Sequence, residues 1–354
     1  MKAYDGYTVR RLLRGHLLVF VVLAALFGLT TLVDELGDVG RGRYRWSDAL
    51  FYVALTLPYR MLDLVPVIGL LGSILSLGSM AATNELLAMR ALGISAWRIL
   101  ASSLKAGMIL VGVALLVAEY VAPPLALSAR TRRSFAIHEP EALQLERGFW
   151  FREGNSFVKV GRVLHGRQLA DVSIYEIGPD ARLRSWTRAA RAEVLETGEW
   201  ILQDVRRDLL GEGGLDSVAE ETERWQAEFG PTLLRLNVLT PENLSVSDLA
   251  LYVKNMRKHG QSNEPHRIRL WRILALPLLV GSMIFLAVPF VFVLRDTSSG
   301  RRMTLGCLVG AAAYALDRIG AHAGVLSGLN PVVIALAPGI LTLAVGVFLM
   351  RRKA

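Results

Sequence analysis

Apolar positions along this 354-residue chain are bunched rather than spread. The first unbroken run covers residues 16–33 and carries no charged side chain, close to the ~20 residues a helix needs to cross a bilayer. A second span falls within 64–82 after an apolar lead-in at 49–57, and a third covers 99–122, where Pro123-Pro124 is expected to stop the helix. Three more follow at 273–294, 303–321 and 332–350. Between the third and fourth spans the periodicity changes. Residues 149–152 and 156–160 flank Glu153-Gly154-Asn155, which predicts a hairpin. Residues 172–177 predict a strand ending at the turn Gly178-Pro179-Asp180, and Trp200-Ile201-Leu202 begins another after Thr197-Gly198. Strands at a spacing of roughly 8–12 residues predict a sandwich or jellyroll. Residues 247–258 predict a short polar helix.

The expected fold is therefore an α-helical membrane protein with six transmembrane helices, three on each side of an inserted all-β jellyroll domain. The divisions fall at 1–133, 134–245 and 246–354. Small residues mark two close helix approaches: Gly69, Gly72, Ser73, Ser76 and Thr83 in the second span, and the Gly306/Gly310 pair in the fifth. Lys105, near the start of the third span, is placed to snorkel. The first run follows Arg10, Arg11 and Arg14, but it is longer than a signal-peptide core and lacks a small-residue cleavage site. It reads as a retained span. A twin-arginine signal fits poorly, since no passenger domain follows directly.

Composition agrees: 53% of residues are hydrophobic and the mean hydropathy is +0.39. The net charge of +9 would suit a nucleic-acid binder, but its distribution does not. Residues 134–265 hold 16 basic and 21 acidic side chains, so the basic excess lies around the spans. With the N-terminus in the cytoplasm, the short segments on that side carry Lys2, Arg10, Arg11, Arg14, Arg90, Arg98, Arg295, Arg301, Arg302, Arg351, Arg352 and Lys353. The opposite loops carry Arg41, Arg43, Arg45 and Arg60. The positive-inside rule then puts both termini in the cytoplasm and the β insert outside, in the periplasm of a Gram-negative cell.

Several chemistries lack their residues. None of the six lysines follows a glycine, so there is no phosphate-binding Gly-Lys-[Ser/Thr] loop and ATP-driven work requires a partner. No HExxH, GxSxG or CxxC occurs, and no two histidines stand four apart. No catalytic residue, metal site or cofactor is expected. The single cysteine, Cys307, excludes an intrachain disulfide and is expected to be a small buried packing residue.

Residues 83–95 between the second and third spans read as a short amphipathic helix. Thr83 or Asn84 can cap it, Glu85 suits its first turn, Gly93 ends it, and Ser95 can cap the helix that follows. Such a capped helix serves as a peg for another protein or as a plain connector.

This segment, with Glu85, Met89 and Gly93, resembles the coupling helix of the LptF/LptG permease family. The likeness extends to 145–163 with Gly148, Trp150, Gly154, Asn155, Phe157, Val158 and Val163. It also includes Glu119-Tyr120-Val121-Ala122-Pro123, residues 244–252 with Gly260-Gln261, and Tyr314-Ala315-Leu316-Asp317. It covers nearly the whole chain and is closer to the LptG branch than to the LptF branch. The resemblance implies a heterodimer of LptF with LptG over two copies of the ATPase LptB, extracting lipopolysaccharide from the outer leaflet of the inner membrane. It also implies a periplasmic bridge of β-jellyroll domains with LptC and LptA, and an LptC helix beside the first span.

By the same resemblance Glu85, Leu86, Met89, Arg90 and Gly93 form the ATPase-coupling element, Glu85 meeting a basic residue of LptB. Arg130 and Arg133, with Arg132 between them, match arginines that follow the third span in the family. Guanidinium geometry suits phosphate, so these three are expected to bind the lipid A phosphates of lipopolysaccharide. Lysines found near the end of the first span in the family are replaced here by Thr31, Gly37 and Asp38, and Arg41, Arg43 or Arg45 can substitute. Asp34, Glu119, Asp317 and Arg318 lie near span ends without an assigned role. Asp317 and Arg318 point about 100° apart on a helix and need not pair. A mechanotransmission permease is disfavoured by six spans rather than four. A lipid-acting enzyme is disfavoured by the lack of a His, Asp or Ser cluster at one depth, and a simple anchor would not need the capped helix.

Overall fold

The computed structural model describes residues 3–137, 148–164, 168–180, 182–195, 198–211, 214–226, 244–258, 264–293, 299–327 and 329–351. In chain order the first helices are α1 (Ala3–Leu36), α2 (Trp46–Leu62), α3 (Val65–Ala82), α4 (Glu85–Ala91), α5 (Ala96–Leu116), a wide π turn at Val117–Val121, and α6 (Ala122–Ile137). Six strands follow: β1 (Phe149–Glu153), β2 (Ser156–Val163), β3 (Gln168–Ile177), β4 (Leu183–Val194), β5 (Glu199–Gly211) and β6 (Gly214–Gln226). The chain continues with α7 (Val246–Lys258), α8 (Glu264–Val293), α9 (Ser299–Ser327) and α10 (Pro331–Arg351). Two compact units result. One joins Met1–Val39, Arg45–Arg130 and Glu264–Ala354; the other joins Gly40–Tyr44 and Thr131–Asn263.

In the helical unit α3 is the central element, with 14 of its 18 residues buried. Its small residues let neighbours approach. A Cβ on Gly72 would lie 2.7 Å from the His16 Cα on α1, and the His16 ring nitrogen Nε2 sits 3.2 Å from the Ser73 hydroxyl. Ser76 donates its hydroxyl to the Arg11 carbonyl at 3.1 Å. On another side, a Cβ on Gly306 of α9 would meet Ile74 Cδ1 at 2.8 Å, so the Gly306/Gly310 face is used against α3 within the chain. By contrast, Leu17, Leu18, Val21, Val22, Leu29 and Val33 of α1 are exposed, an apolar surface suited to lipid or another helix.

Among the described residues five stretches are long and apolar enough to cross a bilayer: Tyr4–Leu36, Val65–Ala82, Ala96–Ile137, Glu264–Val291 and Pro331–Arg351. The expected fifth span lies in α9, which is 29 residues long, carries Asp317 and Arg318, and is not among these five. The second span is α3, as expected, and the lead-in at 49–57 forms a separate helix, α2, which starts where Asp48 accepts the Arg45 backbone N–H at 2.8 Å; α3 restarts with Pro66 in its first turn. Two local expectations are corrected. Pro123-Pro124 does not stop the third span, because helix continues to Ile137. The π turn accounts for this: the Ala122 N–H bonds the Val117 carbonyl five residues back, which widens the turn where a proline ring would strike a carbonyl four residues earlier. Cys307 is exposed on the surface of the chain rather than buried, because α9 turns Gly306 toward α3 and its neighbour away.

The insert is all-β, as the alternation predicts. Its strands form one antiparallel sheet in the order β1-β2-β3-β4-β5-β6, each paired with the next in sequence. The crossovers of a Greek-key jellyroll are not found among the described strands, and residues 227–243 lie outside the described ones. The expected hairpin is present, with Glu153 opposite Ser156. Strands β4 and β6 were not singled out from sequence. Phe151, Val158, Val160, Val172, Ile174, Ala189 and Val205 line the buried face. On the other face Trp150 stacks on Tyr175 and Tyr175 on Trp186, each at 5.6 Å, with Arg188 3.6 Å from the Trp186 ring centre. Pairing lapses at one level across the sheet, at Gly161, Asp171, Ala190, Asp204 and Glu221, while the register is kept on both sides. Asp171 (φ 55°) and Asp204 (φ 54°) adopt left-handed backbone there, so this row is a crease. Helix α7 confirms the polar helix predicted at 247–258. The Ser245 hydroxyl accepts the Asp248 N–H at 3.1 Å, and Leu249, Tyr252 and Met256 share its buried face.

Candidate functional site

The segment between α3 and α5 forms a seven-residue helix, α4, as the sequence suggests, but its ends differ in detail. Asn84 precedes it with φ 60° and makes no side-chain cap, and Ser95 makes none for α5. A left-handed Asn84 turns its side chain away from the first N–H groups. The C-terminal end is as expected: Gly93 has φ +80°, its N–H bonds the Arg90 carbonyl at 2.9 Å, and the Ile94 N–H bonds the Met89 carbonyl at 3.0 Å. These two bonds make a Schellman cap, which needs left-handed backbone at Gly93.

Glu85 is turned toward α1. Its Oε2 accepts the Tyr7 hydroxyl at 2.9 Å and its Oε1 accepts an Arg11 Nη2 hydrogen at 3.2 Å. The Thr83 hydroxyl lies 3.0 Å from Oε1 and 3.1 Å from the Ser79 carbonyl, and donates to one at a time. Partial burial pushes the Glu85 carboxyl up, but the bonds from Tyr7, Thr83 and Arg11 outweigh it and hold it below the ordinary carboxylate range.

The other residues expected in the coupling element separate into two sets. Leu86 is 4% exposed and packs with Val9, Leu12, Leu77, Met80 and Ile99, and Met89 packs against the same cluster. Arg90 is exposed. Leu87 (49% exposed), Leu92 (82%) and Trp97 face outward around it. Sequence reasoning missed these three. The signal available was that α4 is apolar on more than one side, which a helix with a single apolar contact would not be.

The arginines expected to bind phosphate all lie on α6. Arg130 and Arg133 stand one turn apart and are half-buried, and Arg132 is exposed. In the β-containing unit, the Arg43 N–H donates to the Ala136 carbonyl at 2.7 Å. This places the Gly40–Tyr44 segment, with exposed Arg41 and Arg43, on the last turn of α6 next to Arg133. Of the replaced lysine positions, Thr31 is buried with its hydroxyl donating to the Phe27 carbonyl at 2.8 Å. The basic residues after the insert are engaged in the helical unit. Arg267 pairs with Glu264, Arg269 lies 4.8 Å from the Tyr59 ring centre, and Arg272 pairs with Asp317. Arg318 pairs with Asp63 at the junction of α2 and α3. Asp317 and Arg318 thus bond to different neighbours rather than to each other, and tie α9 to α8 and to that junction. Lys105 pairs with Asp5, which also accepts the Ser102 hydroxyl, so α5 is tied to the start of α1. Among the described residues no three His, Cys, Asp or Glu side chains gather as a metal site would require.

A bundle with several apolar membrane-capable helices, an all-β insert in mid-chain and a short partly outward-facing helix between two spans defines a polytopic membrane protein of the permease class. The family model described as "Lipopolysaccharide export system permease LptF/LptG" matches residues 6–352, and the chain belongs to that family. The LptG lipopolysaccharide export system permease protein of Escherichia coli strain K12 is 30% identical over 353 residues, 99% of this chain and 98% of the relative. The LptG protein of Haemophilus influenzae is 28% identical over 351 residues, with the same coverage of both chains. The chain is similar to LptG proteins over essentially its full length, as the motifs quoted above suggested.

Proposed function

We propose that the chain is a permease subunit of an ATP-driven exporter that extracts lipopolysaccharide from the outer leaflet of the inner membrane. It passes the lipid to a periplasmic bridge of β-jellyroll domains. The full-length likeness to LptG permeases is the observation that carries this reading. The chain has no phosphate-binding lysine loop, so hydrolysis falls to a cytoplasmic ATPase of the LptB kind. Helix α4 is the docking peg. Leu86 and Met89 pack it against the bundle and Gly93 ends it, while Arg90, Leu87 and Leu92 meet the ATPase, and Glu85 receives a basic side chain. Both termini are cytoplasmic and the insert is periplasmic. A paralogous LptF subunit completes the pair, an LptC helix lies against the exposed apolar face of α1, and LptA extends the bridge.

Arg130, Arg132 and Arg133 hold the lipid A phosphates. Arg41 and Arg43, brought to the last turn of α6, supply charge that the Thr31, Gly37 and Asp38 positions do not. Guanidinium groups bind phosphate through paired N–H donors, and the low dielectric at the membrane surface strengthens the bond.

Copurification from native membranes tests the whole reading. A cytoplasmic ATPase, a six-span paralogue and bound lipopolysaccharide should come down together. Reproducible isolation of the chain alone and without lipid would refute it. For the lipid site, Arg130→Glu and Arg133→Glu should reduce photo-crosslinking to lipopolysaccharide, and undiminished crosslinking in both would remove these residues from the site.

A further inference from the structure

Helix α4 has seven residues, too short to hold its shape alone, and only Leu86 of it is fully buried. Its orientation therefore depends on its tethers. The polar tether runs to α1, where Tyr7 and Arg11 stand four residues apart on one helix face. Both reach the Glu85 carboxylate, the hydroxyl on Oε2 and the guanidinium on Oε1. Arg11 Nε is buried with no hydrogen-bond partner among the described residues, and the guanidinium is held by Glu85 with Tyr7 beside it.

The Arg11 and Glu85 side chains remain 36% and 28% exposed, so the cluster sits at a rim that a partner can cover. A carboxylate offers about four acceptor positions. Tyr7 takes one on Oε2, and Arg11 with Thr83 takes those on Oε1. Among the described residues one position on Oε2 stays open.

We infer that Tyr7 and Arg11 are positioning residues for coupling: they aim the Glu85 carboxylate so that its open Oε2 position meets a cation of the docked ATPase, and they join α4 to the first span. This rests on the reading of α4 as the docking peg. Covering the rim removes water and strengthens all the bonds to the carboxylate together. A displacement of α4 is then delivered to α1 through Glu85, in parallel with the Leu86 packing contact.

The test uses the full complex purified from native membranes and reconstituted in vesicles with lipopolysaccharide, scored as lipid released per ATP hydrolysed. Arg11→Gln is expected to lower that ratio about fivefold and Tyr7→Phe about twofold, the scale of losing a partly exposed charge-assisted bond and a single hydroxyl. Arg11→Lys restores most of the loss, which a general packing defect at Arg11 would not show. In a Glu85→Gln background the Arg11→Gln change adds little, since both act through one carboxylate. If Glu85→Gln lowers the ratio while Arg11→Gln and Tyr7→Phe leave it unchanged, or if the Arg11 and Glu85 losses multiply independently, the positioning role is overturned and the docking role of α4 stands. If Glu85→Gln itself changes nothing, the docking role of Glu85 fails, and with it this inference.

Discussion

Leu86 and Leu87 are neighbours in sequence on one helix and meet different surroundings, the first 4% exposed in a core with Leu12 and Met80 and the second 49% exposed. Substitution should separate folding from docking. Leu86→Ala leaves a cavity in that core and should cost about 2–5 kcal/mol, seen as a lower melting temperature of the detergent-solubilised protein. Leu87→Ser should leave the melting temperature within error and reduce the ATPase retained on purification. Equal melting losses for both would show that the two leucines are equally packed.

Two glycines at helix contacts of α3, Gly72 on α3 itself and Gly306 on α9, differ in what surrounds them. A Cβ at Gly72 meets the His16 backbone at 2.7–2.8 Å, whereas one at Gly306 meets the end of the Ile74 side chain. Backbone cannot step aside as a methyl can. Gly72→Ala should therefore destabilise by about 1–3 kcal/mol, and Gly306→Ala by well under half of that. Thermal unfolding of the two variants checks the order.

The ion pair between Arg318 and Asp63 ties α9 to the junction of α2 and α3. Both groups are partly exposed, which limits its net worth to about 1 kcal/mol. Removing only Asp63 takes away the carboxylate opposite Arg318 while that guanidinium keeps its place beside Tyr314. Asp63→Asn alone should therefore lower the melting temperature more than Asp63→Asn combined with Arg318→Gln. A double variant that melts at the temperature expected from adding the single losses would show that the pair is uncoupled.

In the sheet, Asp208 accepts the Ser217 hydroxyl at 2.7 Å and an Arg188 hydrogen at 3.0 Å, and these bonds hold its carboxyl below the usual aspartate range. Its contribution is present above the ordinary aspartate value of about 4 and is lost as pH falls through the depressed one. Arg188 also stacks on Trp186, so tryptophan fluorescence reports the change. The signal should be flat from pH 7 to about 4.5 and fall below that. Asp208→Asn should shrink the acid-side fall.

Much of this architecture follows from one-dimensional pattern. Spans need length and apolarity, strands need alternation, and both are written along the chain; hence the helices over 16–33 and 332–350, the hairpin at Glu153-Gly154-Asn155 and helix α7 were legible. The capped end at Gly93 was legible as well, because the backbone conformation itself selects glycine there. Boundaries that depend on contacts were not. Pro123-Pro124 reads as a stop, but a π turn carries helix past it. The long polar strands β4 and β6 carry little apolar signal and form because each has a neighbour to bond.

The sequence by itself determined a membrane bundle interrupted by a β-rich insert, and its resemblance to the LptF/LptG family pointed to Glu85 and the arginines of α6. The tertiary structure alone decided what those side chains meet. A carboxylate in the first turn of a short helix can point to solvent, to a partner or back into its own chain. Tyr7 and Arg11, 78 and 74 residues away, turn Glu85 toward α1. The same holds for Leu86 and Leu87, since which of two adjacent leucines is covered depends on where Leu12, Met80 and Ile99 come to lie. Hydrogen bonding and packing act over a few ångströms in space, and chain spacing carries no record of which distant residues are brought within that range.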